Sequence, residues 1–147
     1  MPAQSGTNYF NVGRDIQVVA LDQNGLPITL NNVTMFDSKM VTANIKVDRL
    51  DSIQMNAELP KGWTLDIEGV RAGPALDSFF AILETNWYQS GTYNTSSVYV
   101  YITEPDGSTS TFQFTNVAFK YDDGGSWSGD KEVKWKMSGI ANRKIAI

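Results

Sequence analysis

Residues 40–69, MVTANIKVDRLDSIQMNAELPKGWTLDIEG, decide the fold class of this chain. Side chains alternate across a β-strand, so period-two patterning marks a strand with two unlike faces. Three runs show it. Val41, Ala43, Ile45 and Val47 share one face, while Thr42, Asn44, Lys46 and Asp48 share the other. Ile53, Met55, Ala57 and Leu59 then stand against Gln54, Asn56 and Glu58, and Trp63, Leu65 and Ile67 against Thr64, Asp66 and Glu68. Pro60-Lys61-Gly62 reads as the turn between the second and third runs. The pattern predicts a β-meander over 40–69 with one core face and one strongly hydrophilic face.

Outward from the meander the signals stay β, with one exception. Upstream, 1–14 reads as an arm without periodicity, 16–21 as a strand apolar on both faces, Asn24-Gly25 as a turn, and 27–36 as extended chain. Downstream, 74–90 predicts the single helix. Pro74 suits its first turn, Asp77 lies near the positive end of its dipole, and Gly91 stops it. Leu76, Phe79, Phe80, Leu83 and Trp87 form one apolar stripe at helical spacing, read as core packing that plugs the open side of a barrel or sandwich. Strands return over 98–147. Val98, Val100 and Ile102 alternate with Tyr99, Tyr101 and Thr103, and Glu104-Pro105-Asp106-Gly107 turns into the next strand. There the apolar phase slips from Phe112 and Phe114 to Val117, Phe119 and Tyr121, which predicts a β-bulge at Thr115-Asn116. Asp122-Asp123-Gly124-Gly125 turns the chain again, Val133, Trp135 and Met137 mark a last strand, and 140–147 is a short tail. The expectation is one domain over 1–147, mainly β with one α-helix, built as a β-sandwich or small barrel.

Composition narrows the chemistry. The 147 residues include no cysteine and no histidine, which removes thiolate nucleophiles, disulfides, the commonest general base and the usual zinc and haem ligands. No apolar run approaches the length of a membrane span, and the N-terminus has neither a basic n-region nor an apolar h-region, so a soluble, non-exported chain is expected. A net charge of −4 disfavours tight phosphate binding. Charge is segregated: residues 1–49, 50–130 and 131–147 carry net charges of 0, −8 and +4. An acidic region could therefore meet the basic end of another copy, against the plainer reading of a solvated surface.

Candidate sites for catalysis are weak. Asp66 and Glu68 share a strand face at a spacing of roughly 7 Å, as glycosidase carboxylates can, but any solvated sheet offers that spacing. Asp122-Asp123-Gly124-Gly125 and Asp106-Gly107 lack the alternating ligands and closing Glu of a calcium loop and read as hairpin turns. Tyr99, Tyr101 and Trp127 could stack on sugars or bases, although tyrosine alternating with valine is also ordinary strand composition.

A resemblance sharpens these readings. Leu59-Pro60-Lys61-Gly62-Trp63, Ile67, Arg71, the helix Leu76-Asp77-Ser78-Phe79-Phe80-Ala81 with Trp87-Tyr88 and Gly91, then Tyr101-Ile102-Thr103-Glu104-Pro105-Asp106-Gly107-Ser108, Phe112, Phe114, Val117, Gly125, Trp127 and Arg143-Lys144 follow one another in an order that resembles bacteriophage tail-tube proteins. The resemblance implies a sandwich or barrel with one flanking helix and six copies per ring. It implies stacked rings, with inner sheets joined into a continuous barrel around a lumen. The implied function is a non-enzymatic structural subunit whose stacked hexamers conduct genomic DNA during ejection. No cofactor and no metal are implied. Implied partners are further copies, a tail sheath if the tail contracts, baseplate and tail-terminator proteins, and a tape measure protein in the lumen, with DNA passing unbound and no membrane insertion. The implied location is the virion tail, after assembly in the host bacterial cytoplasm. A type VI secretion (Hcp-like) tube ring or another tail or baseplate ring shares this architecture, and a monomeric carbohydrate-binding β-sandwich is the more distant alternative.

Site expectations follow. If the hydrophilic face of 40–69 lines the lumen, its residues are Thr42, Asn44, Lys46, Asp48, Gln54, Asn56, Glu58, Thr64, Asp66 and Glu68, a neutral to acidic wall past which DNA slides. Basic Lys131, Lys134, Lys136, Arg143 and Lys144 are expected to dock on an adjacent subunit. Arg49 and Asp51 in the 49–54 loop, with the 1–14 arm, are the expected contacts between rings.

Overall fold

The computed structural model describes residues 10–22, 24–28, 30, 33–51 and 53–147. Residues 1–9 of the expected arm, residues 29, 31 and 32 of the expected 27–36 strand, and Ser52 of the expected contact loop lie outside the described residues. Among the described residues the order is β1 (Ile16–Leu21), β2 (Pro27–Ile28), β3 (Val33–Asp48), β4 (Gln54–Val70), α1 (Ala75–Ser90), β5 (Ser96–Thr103), β6 (Thr109–Asp123), β7 (Lys134–Ala141) and β8 (Arg143–Ala146). All ladders are antiparallel, in the order β2-β1-β5-β6-β7-β4-β3, with β8 also on β6. The expected 140–147 tail divides between the end of β7 and the strand β8.

β6 belongs to both halves of the sheet. Its first part pairs with β5 and β8, and from Ala118 onward it pairs with β7. The change happens at the expected bulge. Ser96 faces Val117 and Val98 faces Phe114, which leaves one extra residue on β6, and Asn116 takes a left-handed φ of 50°. Because the apolar residues change parity at the same place, Phe114, Val117 and Phe119 all remain buried. The two halves meet face to face. Phe114 lies edge-on to Trp63 of β4 at 5.7 Å between ring centroids and tilted against Phe36 of β3 at 6.3 Å. Around them Leu65, Ile67, Val98, Trp135 and Met137 complete the core, each large apolar side chain contributing about 1.5–3 kcal/mol.

The helix forms close to its expected bounds. Pro74 precedes it, and Gly91 ends it with φ 70°, its N–H donating to the Trp87 carbonyl. Phe79 packs edge-on to Phe119, and Phe80 stacks on Tyr121 at 4.6 Å. Leu76 and Leu83 are buried, but Trp87 is 52% exposed. The expected stripe is therefore core at its N-terminal end and surface at its C-terminal end. Arg71 anchors the helix start: its guanidinium donates twice to Asp77 Oδ2, and the Tyr121 hydroxyl donates to Asp77 Oδ1 at 2.8 Å.

Residues 40–69 do not form three strands. β3 and β4 are sixteen and seventeen residues long and make a single hairpin whose tip is 49–53. Pro60-Lys61-Gly62, expected as a turn, is a β-bulge within β4: Val41 faces Gly62 and Thr42 faces Pro60, which leaves Lys61 extra. Gly62 sits at φ 113° against the end of β7, where a Cβ would lie 2.5 Å from the Ala141 carbonyl oxygen. A tight approach and a left-handed φ together require glycine there.

Candidate assembly surface

One extra residue exchanges the faces of a strand. On the near side of the bulge, Phe36, Ser38 and Met40 share a face with Ile67, Leu65 and Trp63, and that face is the core. β3 runs on without interruption, so Thr42, Asn44, Lys46 and Asp48 lie on the continuation of the core face, paired with Gln54, Asn56 and Glu58. The apolar set Val41, Ala43, Ile45, Val47, Met55, Ala57 and Leu59 continues the outer face instead. The ten expected lumen residues thus divide: seven lie on one side of the hairpin, and Thr64, Asp66 and Glu68 lie on the other.

Beyond the bulge the hairpin becomes a ribbon that, among the described residues, pairs only with itself, because β7 meets β4 from Trp63 to Val70 and no further. Over 41–48 and 54–61 every side chain is exposed except the half-buried Ala43. Glu58 is held by the Thr42 hydroxyl at 2.7 Å and the Asn44 amide at 2.6 Å, and these donors, Asn44 first, keep its carboxyl below the usual carboxylate range. Arg49 and Asp51 pair with each other at 3.2 Å across the tip, beside the fully exposed Leu50. On the opposite face Val41, Ile45, Val47, Ile53, Met55 and Leu59 stand in water. Two-stranded ribbons are marginal without a covered face, and soluble monomers rarely expose contiguous apolar patches above a few hundred Å2.

The outer face of the four-stranded half is different in character. Across the ladders, Asp37, Asp66, Ser138 and Lys120 form one row, Glu68, Lys136 and Asp123 another, and Lys39, Thr64 and the exposed Ile140 a third. Lys136 pairs with Glu68 at 3.5 Å and Lys39 with Asp37 at 3.7 Å. The wall is close to neutral by local pairing. Sequence alternation located Thr64, Asp66 and Glu68 but missed Lys39, Lys120 and Asp37, which join them only through non-local ladders.

The expected basic docking surface is dispersed. Lys136 belongs to that outer wall, and Lys134 pairs with Glu132 at 3.8 Å. Lys144 points inward, its ammonium 4.4 Å from the Phe112 ring centre and 5.1 Å from that of Trp63. Lys131 and Arg143 remain exposed. Of the aromatics considered for stacking, Trp127 lies under Arg71 at 5.2 Å, already engaged by the protein's own guanidinium. Among the described residues no three acidic side chains gather as a metal site, and no helix is long and apolar enough to cross a membrane.

A second apolar surface was not anticipated. Along α1, Leu83, Glu84, Trp87 and Tyr88 form an open groove with Tyr93 and Tyr121. The Tyr93 hydroxyl donates to the Phe119 carbonyl, and burial pushes its ionisation above the ordinary tyrosine value. The heptad-like stripe hid this surface, since helical spacing alone does not say where the covering sheet ends.

No family model matches the chain, and no curated protein is significantly similar to it. Solved structures do match its fold. A chain of the sheath–tube complex of the extracellular contractile injection system PVC, in the extended state, superposes with a TM-score of 0.61 at 11% identity, covering 89% of this chain and 88% of that one. A chain from the tail of an empty gene transfer agent particle, computed with helical refinement and C6 symmetry, gives 0.58 at 13% identity, covering 94% and 99%. The SPP1 tail tube gives 0.56 at 10% identity, covering 92% and 77%. The chain thus has the mainly β, one-helix fold seen in these tube and tail structures.

Proposed function

We propose that this protein is a structural, non-enzymatic subunit of a tail tube, which forms rings that stack into a hollow conduit. The observation that carries the reading is the 41–59 ribbon. It exposes a continuous apolar face, and the outer edge of β3 is unpaired among the described residues, so the isolated chain presents both a hydrophobic surface and a strand edge that another copy can cover. The likeness of fold to chains of a C6 tail and of a sheath–tube complex supports hexameric rings within a particle tail with a sheath as partner, and likeness to chains of a tube terminator and of a baseplate supports those proteins as further partners.

The lumen wall in this reading is the outer face of the four-stranded half. Thr64, Asp66 and Glu68 keep their expected role, joined by Asp37, Lys39, Lys120 and Lys136, while the ribbon residues leave it. With Asp123 and Lys134 on the same face, four acids stand against four lysines, and this near-neutral wall offers a polyanion neither counterion-release affinity nor strong repulsion. DNA passes it unbound.

Negative-stain microscopy of the purified protein tests the reading. Rings or tubes of constant bore are expected, and the Ile45→Asp/Met55→Asp variant should remain monomeric with an unchanged circular dichroism spectrum. A wild-type protein that sediments as a monomer at every concentration would remove the proposal.

A further inference from the structure

Among the described residues, the outer face of the ribbon and the groove along α1 both carry exposed large apolar side chains in contiguous groups. They differ in kind. The ribbon presents aliphatic and thioether side chains from a narrow two-stranded element, with Leu50 at its tip and Met55 54% exposed. The groove presents aromatic walls, with Trp87 and the 79% exposed Tyr88 beside Leu83, and the Glu84 carboxylate on its rim. A convex aliphatic element and a concave aromatic one are complementary in shape and chemistry, and Trp and Tyr are the residue types that anchor interfaces.

We propose that the apolar face of the ribbon of one copy seats in the α1 groove of a second copy. The inference rests on the tube reading for its polymer and goes beyond it in naming the two surfaces that meet. Contact between two ribbons would be isologous and would close a dimer, leaving the groove of each copy in water. Ribbon-in-groove contact is heterologous: every copy gives one ribbon and receives another, so a single repeated contact covers both patches and propagates into rings or filaments. The six ribbon side chains with Leu50 present several hundred Å2, which approaches the ~800 Å2 per partner of a standard interface once strand-edge contacts are added.

The absence of native cysteine makes cross-linking a clean readout. Met55→Cys protein mixed with Tyr88→Cys protein should give a mixed disulfide on mild oxidation, and the double variant should give a ladder of covalent oligomers. Tyr88→Glu, with an unchanged circular dichroism spectrum, should raise the concentration needed for assembly at least tenfold. Tubes that form normally while the mixed disulfide is absent would overturn the proposal and leave the tube reading standing. So would a homodisulfide of Met55→Cys as the main product. A mixed disulfide in short oligomers that never become tubes would uphold the contact and sink the tube reading. A wild-type chain that does not associate at all would defeat both.

Discussion

At the scale of single residues, Asp77 shows how one carboxylate ties three elements together. It accepts from Arg71, which follows β4, and from Tyr121 of β6, while it sits in the first turn of α1. Hydrogen bonds from Arg71 and then Tyr121 hold its carboxyl below its ordinary value of 3.8. Its contribution is therefore complete above that value and fades as pH falls through the lower folded value. Tyr121 runs oppositely. Burial first, and the Asp77 carboxylate second, push its hydroxyl up to about 12 from 10.0, so its share is complete below pH 10 and is lost as pH rises toward 12. Asp77→Asn should lower stability by about 1 kcal/mol at neutral pH, a modest value because the Asp77 side chain is 40% exposed. Urea melts of the variant against wild type should converge as pH falls from the ordinary value of 3.8 through the lower folded value, where the wild-type carboxylate is itself protonated. A constant difference across that range would show that Asp77 acts by packing alone. Lys144 gives a second residue-level contrast. Its ammonium lies among Trp63, Phe112 and Phe114, so Lys144→Ala should cost about 1–2 kcal/mol in the same melts, whereas the neighbouring exposed Arg143→Ala should cost under about 0.5 kcal/mol.

At the scale of elements, two bulges explain most of what the structure adds. In β6 the backbone and the apolar pattern change phase together at Asn116, so the slip was visible in the residues and Phe114, Val117 and Phe119 all stayed in the core. In β4 the backbone gains a residue at Lys61 while the apolar pattern keeps its odd-numbered phase. Ile53 to Ile67 therefore looks like two strands sharing a face, although Leu65 is buried and Met55 is exposed on the opposite side. A phase preserved in sequence and broken in the backbone leaves no local signal. Pro60-Lys61-Gly62 does mark an interruption, but turn and bulge draw on the same residue types. Deletion of Lys61 tests the distinction. The body should still fold, because the pairs from Trp63 to Val70 with β7 are untouched, and Val41 still faces Gly62 and Thr42 still faces Pro60, so the ribbon keeps its pairs and faces and assembly should survive by size-exclusion chromatography and microscopy. A deletion variant that fails to fold would show that Pro60-Lys61-Gly62 acts as a turn after all, and one that folds but no longer assembles would show that association needs the bend of the bulge as well as the ribbon's facing. Gly62→Ala instead strains the bulge itself and should destabilise the monomer by about 2 kcal/mol or more, read from the same urea melts.

At the scale of the whole molecule, hydrophobic and electrostatic assembly make opposite demands on salt. The segregated charges of −8 over 50–130 and +4 over 131–147 suggest that copies attract through a basic end. Folding redistributes those bases: Lys134 and Lys136 pair within the chain, Lys144 turns inward, and Lys131 and Arg143 stay exposed. The two cations outside any ion pair supply little attraction in water, where surface pairs contribute about 0–1 kcal/mol each. The ribbon's apolar face, by contrast, is insensitive to screening, and a net charge of −4 makes self-repulsion the long-range term that salt removes. Raising NaCl from 0.1 to 1 M shortens the Debye length from about 10 Å to about 3 Å, which should leave the assembled fraction equal or higher by sedimentation. Lys131→Glu with Arg143→Glu should change that fraction less than about twofold, since each charge is screened and solvated. Tubes that dissolve in 1 M salt, or that vanish in the double charge reversal while Ile45→Asp still assembles, would transfer the driving force from the ribbon to the basic end.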